Sequence, residues 1–396
     1  MDNITQAKLM FTDNFKLRTE SVAKIAAEHA GAVDRDARFP AEAFASARAQ
    51  RLLGVMVPVD LGGEGAGLAD VVDQCYMLGR ACSSTGMIFA MHQIMVAILL
   101  RHAHTSEWHR RLLRQLLSDQ LLIASSTTEG QGGGDLRTSV CAVERVGERI
   151  AFQKSATVMS YGAHADAILT TARRSPDAPP TDQVLLALLR KDYQLEPIVD
   201  WQTLGMRGTC SSGFVLKATG IAEQILPDSY STIQTHTMMP VAHLTWSAVW
   251  SGIAASAVER ARRFMRSAAR RAGGQLPPGA SHLTRATMSL RALRGIVAAA
   301  LQRFDAMGID KEELESLDFQ NAMNLLKVSA SEMAISTVMS CMHACGLLGY
   351  RNDGEYSVSR QLRDVLSSSI MINNDRILAS AATASLLIEV PSSVRF

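Results

Sequence analysis

A chain of 396 residues is too long for one ordinary domain, and 47% hydrophobic content with 5% aromatic residues and 11 prolines excludes general disorder and favours helix over strand. Forty basic against 38 acidic residues leave a formal charge of +2, which excludes a broad field for nucleic acid or an acidic membrane and points to a small-molecule or protein partner. The six cysteines are scattered, and the first residues carry neither a secretory nor a transit pattern, so buried thiols and a cytoplasmic protein are expected.

In chain order, residues 1–120 read as an all-α domain, because apolar residues recur at three- and four-residue spacing in Val22, Ile25 and Ala26 and again in Leu112, Leu113, Leu116 and Leu117. Phe39-Pro40 opens one helix there, the run from Pro58 to Gly65 breaks into a loop, and Ser83-Ser84-Thr85 offers N-cap oxygens to the apolar helix that carries His92. The apolar stretch from Gly86 to Leu100 is interrupted by His92 and Gln93 and falls short of the roughly 20 residues of a membrane span, so it reads as a core helix. Residues 121–228 change to short apolar or β-branched runs, such as Ala165 to Ala172 and Val184 to Leu189, which predict a central β domain. From residue 229 to 396 helical periodicity returns, broken at Gly273 to Gly279 and Gly346 to Gly354.

Several stretches could carry chemistry. The run Thr128 to Asp135 places four glycines in eight positions, which lets backbone amides approach a ligand, although it is not a Rossmann fingerprint; a plain loop is the bland reading. Trp201 to Thr209 has two glycines and Arg207, whose planar fork suits phosphate as well as it suits solvent. Lys154 to Gly162 reads as a strand that ends at Ser160 and Tyr161, two donors for a ring system or two residues of a surface turn. Arg260, Arg263, Arg266, Arg270 and Arg271 make a basic helix stripe, a solvated face or an anion site at a subunit contact. Cys341, His343 and Cys345 are spaced so that a helix sends the middle residue away, so no metal site is expected. His92 reads as a core histidine unless a flavin pocket surrounds it.

Taken in order, these segments resemble the acyl-CoA dehydrogenase family over nearly the whole chain. Phe39-Pro40, Gly54 to Pro58 and Leu61 to Gly65 are similar to its early glycine-proline region. Thr128-Glu129 through Gly133-Gly134-Asp135 is similar to its flavin loop, Leu204 to Thr209 to its "LGxRGT" turn, and Arg363-Asp364 to the "RD" before its catalytic segment. The resemblance implies an α+β multidomain fold: an N-terminal helical domain, a central β-barrel and a C-terminal four-helix bundle, with FAD between barrel and bundle, in a homotetramer. It also implies cofactor contacts at Thr128, Gly133 and Gly134, at Thr157 or Ser160, and at Asn374. Arg270 would reach the FAD of a neighbouring subunit, and Gly346 and Gly349 would lie beside the adenine.

The chain departs from the family pattern where its catalytic glutamate is expected: that position holds Ile372, and the alternative one, early in the first bundle helix, holds Ala242. Desaturation of an acyl thioester needs a base for the α-proton. Asp375 is the nearest substitute carboxylate, and His92 is a second candidate for catalysis. Three readings follow. The first is α,β-dehydrogenation of an acyl thioester on CoA or a carrier protein, with an electron-transfer flavoprotein as acceptor. The second is a flavin monooxygenase on the same fold, fed by a flavin reductase. The third is a non-catalytic flavin-binding partner.

Overall fold

The computed structural model describes residues 3–103, 105–130, 137–308, 310–390 and 392–393. Its N-terminal part is helical: α1 (Asn3–Arg35), α2 (Ala41–Ala49), α3 (Leu68–Ala81), α4 (Ser83–His102) and α5 (Glu107–Asp119). Pro40 stands at the N-cap of α2, as its fixed φ and missing N–H favour. The start of α4 differs from expectation. Cys82 holds the N-cap and no side chain caps the helix, while the Ser83 hydroxyl hydrogen-bonds Asp364 far along the chain. By length and composition α4 is apolar enough to cross a membrane, but 89% of its apolar window is buried inside the protein, against α3 and the later helix α7.

The central region holds β1 (Ile123–Ser126), β2 (Glu144–Val146), β3 (Arg149–Ala156), β4 (Ala167–Arg173), β5 (Gln183–Leu189), β6 (Tyr193–Val199) and β7 (Gly213–Ile221). They form two sheets, one in the order β1-β4-β5 and one in the order β2-β3-β7-β6. β4 and β5 are buried on both faces, which explains their continuous apolar runs, whereas β3 alternates. The two sheets are tied by Lys154 of β3. Its buried Nζ donates to the carbonyls of Ser126 in β1 at 2.9 Å and Thr171 in β4 at 2.8 Å, with the Glu129 carboxylate 3.5 Å away.

The C-terminal part begins with α6 (Tyr230–Ile233) and one π-helical turn, Gln234–Met238. It continues with α7 (Met239–Arg271), α8 (Ala280–Met307), α9 (Lys311–Glu315), α10 (Leu317–Cys345), α11 (Leu347–Tyr350), α12 (Ser359–Ile370) and α13 (Asn374–Leu387). α7, α8 and α10 pack lengthwise, with α12 and α13 laid against α10 and α3 against the outer side of α7. The breaks between α7 and α8 and after α10 fall at the glycine-containing stretches that the sequence marks. One apolar core, from Phe15 to Val365, runs through all three regions.

Candidate active site

The loop after β1 lies across the end of β3. Thr128 donates its hydroxyl to the Val158 carbonyl at 3.2 Å, and a Cβ on Gly130 would come within 2.8 Å of the Thr157 methyl, so glycine is what permits this approach. Glu129 anchors the loop from below. Its carboxylate accepts from the Ser139 hydroxyl and from the Val140 amide at 2.7 Å, beside the buried Lys154 ammonium. Burial pushes that ammonium down to about 8. Thr128, Thr157 and Ser160 are thereby brought together, each half-buried, around Val158, which remains 44% exposed. Gly133 and Gly134 lie outside the described residues.

From Ser160 a chain of hydroxyls leads inward. Ser160 Oγ meets Ser211 Oγ at 2.8 Å, Ser211 Oγ meets Thr209 Oγ1 at 2.8 Å, and Thr209 donates to the Met206 carbonyl at 2.8 Å. The Met206 amide then donates to Asp364 Oδ1 on α12 at 2.7 Å. Beside it, Gly205 packs so tightly on the Arg363 carbonyl that any side chain would overlap it. Arg363 forms a bidentate pair with Asp34 at the end of α1 and donates to the Leu204 carbonyl at 2.9 Å. The two motifs at 204–209 and 363–364 are therefore one joint, which docks the bundle onto the sheets. Arg207 is committed to it as well, since its Nε donates to the Asp34 carbonyl at 2.7 Å.

Beyond α12 the chain turns through Met371, Ile372 and Asn373 into α13. Ile372 has φ 57° and Asn373 φ 48°, and a left-handed conformation is strained for a β-branched residue. Of the eight non-glycine residues with positive φ among the described ones, Ile372 and Asn373 form this turn, and Tyr161, Met206 and Cys210 belong to or adjoin the residues of the hydroxyl chain. Such outliers collect where the surroundings over-determine the backbone, as they do at functional sites. Ile372 is 40% exposed. Asp375 is also exposed, in the first turn of α13, and its amide donates to Asn373 Oδ1 at 2.9 Å. Asn374 points the other way and is buried.

His92 sits in the core. Its Nδ1 accepts from the Ile123 amide at 3.0 Å, so the tautomer is fixed and Nε2 donates to the Leu53 carbonyl at 2.8 Å. Burial lowers its pKa to about 4. Both ring nitrogens are thus engaged with backbone. The ring pins α4 to β1 through the Ile123 amide, and the carbonyl of the same residue accepts from the Tyr161 hydroxyl at 2.8 Å.

A second group lies at the far end of the bundle. Arg270, in the last turn of α7, is exposed and donates to the Arg266 carbonyl. Gly346 caps α10 and Gly349 lies buried in α11, beside a groove of about 730 Å³ lined by His282, Met342, His343, Gly346, Leu347 and Tyr350. Cys341 and Cys345 are buried in α10 while His343 packs edge-on against His282, and no metal-holding cluster occurs among the described residues.

The residues of the first group fit a flavin. A half-exposed apolar side chain inside a rim of three hydroxyls suits a ring system with an apolar body and a hydrogen-bonding edge. Thr128 and Thr157 were expected there from the family resemblance, as was Ser160. Ser211, Thr209 and the Lys154–Glu129 pair were not singled out. The signal for the pair is a lysine at an inward position of an alternating strand, where only a partnered charge is tolerated.

Comparison with known proteins supports the same fold. Family profiles described as acyl-CoA dehydrogenase, N-terminal domain, and acyl-CoA dehydrogenase, C-terminal domain, match residues 12–120 and 234–385. The chain is 24% identical over 355 residues to the amino sugar nitrososynthase DnmZ of Streptomyces peucetius, covering 85% of this chain and 84% of that one. It is 26% identical over 374 residues to an L-evernosamine nitrososynthase of Micromonospora sp., covering 88% and 84%. Among solved structures, FMN-bound TdsC from Paenibacillus sp. A11-2 superposes with a TM-score of 0.82 at 17% identity, covering 96% of this chain and 98% of that one, a likeness of fold.

Proposed function

The chain belongs to the acyl-CoA dehydrogenase family, and from that premise we propose that it is a flavin-dependent monooxygenase of small organic substrates rather than a dehydrogenase of acyl thioesters. The carrying observation is the strained α12–α13 turn, which presents Ile372 where the family pattern has a glutamate. The neighbouring carboxylate, Asp375, is exposed on α13, and Ala242 fills the alternative position in α7. Nothing described at the turn is built to take an α-proton, and a positioned base contributes about 10²–10⁴-fold to such a step.

Oxygenation makes no such demand. A reduced flavin supplies two electrons to O₂, so that one oxygen atom enters the substrate and the other leaves as water. The protein residues then have three tasks. Thr157 would donate a hydrogen bond to the polar edge of the ring, while Thr128 and Ser160, whose protons go to the Val158 carbonyl and to Ser211, would offer it acceptor oxygens. Val158 and Ile372 offer apolar surface that excludes water. The joint from Met206 to Asp364 fixes the sheets against the bundle. Relatives named as nitrososynthases, which match most of the chain, support oxidation at nitrogen, and a relative named as a dibenzothiophene monooxygenase, 26% identical over 56% of the chain, supports oxidation at sulfur. The electrons would come from a separate flavin reductase.

The test is anaerobic mixing with a panel of acyl-CoAs while flavin absorbance is followed, then addition of a flavin reductase, O₂ labelled with ¹⁸O, and amino sugars, thiophenes and indoles. No bleaching by any acyl-CoA, with label in one product, is the expected result. Bleaching by an acyl-CoA alone would return the protein to the dehydrogenases.

A further inference from the structure

Lys327 falls on the buried stripe of α10 that also carries Met323, Ala330, Ala334 and Val338, and it is fully buried itself. It pairs with no carboxylate among the described residues. Its Nζ donates to Asn374 Oδ1 at 2.6 Å and stands 5.8 Å from the centroid of the Trp250 ring. The same amide is held from its other end, where Asn374 Nδ2 donates to Ser331 Oγ at 2.9 Å, one turn further along α10. Asn374 follows directly on Ile372 and Asn373, both left-handed.

We propose that Lys327 is a positioning residue which, through Asn374, clamps the strained turn Met371–Asn373 to α10 and so sets where Ile372 stands. A buried ammonium has no water to turn to, so it commits to the Asn374 carbonyl oxygen within reach, and a charged donor makes that bond strong. Burial pushes the Lys327 ammonium down to about 8, which leaves it charged at neutral pH. An isoleucine at positive φ does not hold itself, and the local bonds, Asn373 N to the Ile370 carbonyl and Asp375 N to Asn373 Oδ1, tie the turn only to its own neighbours. The clamp ties it to the bundle. The consequence for the flavin rests on the functional reading above; the hold on the turn does not.

The test compares the unaltered, flavin-loaded protein with the double variant Lys327→Met/Asn374→Leu, which removes both buried polar partners together. Hydrogen exchange and the visible flavin spectrum are the readouts. Amides at 372–376 are expected to exchange roughly tenfold faster while those of α7 are unchanged, and the flavin bands shift. Asn374→Asp, which keeps an acceptor for Nζ, is expected to retain both signatures. Unchanged exchange at 372–376, or a uniform increase through α7 and α10, overturns the proposal in favour of a filler or a general stabiliser. Should the double variant not fold, Ser331→Ala decides, with a smaller increase confined to the same amides expected and no such increase overturning the clamp. Failure of the unaltered protein to bind flavin would strike the functional reading and leave the exchange comparison intact.

Discussion

Individual buried histidines contribute to how this protein responds to acid. His92, His109 and His243 are held neutral by burial, each with its pKa lowered to about 4. An unfolded histidine takes up a proton near pH 6.5, so between pH 6.5 and about 4 the unfolded chain binds more protons and acidification favours unfolding. Stability is complete above this window and falls through it, by on the order of 3 kcal/mol for a fully buried histidine such as His92. Denaturant melts at pH 7 and pH 5 should show His92→Gln losing less between the two than the unaltered protein, with a lower starting value at pH 7. Equal losses would show that His92 does not titrate as its surroundings require. Ile372 gives a second residue-scale expectation. Ile372→Glu places a charge and its water where apolar surface is needed, so the yield of product per reduced flavin consumed should fall by roughly a factor of ten. Ile372→Leu should keep it, and the electrons lost in the glutamate variant should appear as hydrogen peroxide.

Between elements, the joint of residues 204–209 with 363–364 decides whether the sheets and the bundle face each other correctly. The backbone carbonyl of Arg363 cannot move aside for a side chain, so Gly205→Ala should lower stability by about 1–3 kcal/mol as an overpacked contact. Asp364→Ala leaves the buried Met206 amide unpaired, which costs about 1–3 kcal/mol, whereas Asp364→Asn keeps an acceptor and should be milder. Thermal melts together with flavin affinity check this. A Gly205→Ala protein of unaltered stability would show the joint to be loose. The two motifs were legible in the sequence as separate matches to a family pattern, and their meeting across 158 residues was not, because no periodicity reports a long-range hydrogen bond. Helix boundaries read well for a local reason: Pro40 and the glycine-containing stretches at 273–279 and 346–354 act within a few residues. Ser83 failed as a cap for a tertiary reason, being drawn to Asp364. Lys327 was legible in principle, as a cation on an apolar helical stripe, but its partner Asn374 was not.

At the scale of the whole molecule, two of the cofactor candidates within one chain, Asn374 and Gly346, are far apart. Lys327, which marks Asn374, and Gly346 lie 19 positions apart on α10, about 28 Å at 1.5 Å per residue. Arg270, Gly346 and Gly349 therefore form an end of their own, and it is an exposed apolar end, with Leu347 at 73% and Tyr350 at 71% exposure. Surface of this kind on a 42.9 kDa chain argues for burial against other copies, and closed symmetry is the usual form of such assembly. If copies pack through the bundle, the groove and Arg270 of one chain can complete a site begun by Thr128, Thr157 and Ser160 of another. An FMN molecule would use only the hydroxyl rim, while FAD would reach both. We accordingly expect light scattering to give a homotetramer and FAD to bind more tightly than FMN. Arg270→Ala should remove one charge-assisted hydrogen bond, weakening FAD by roughly tenfold and leaving FMN unchanged. Equal affinity for the two flavins, unmoved by Arg270→Ala, would confine the cofactor to the hydroxyl rim and leave the far groove to subunit packing alone.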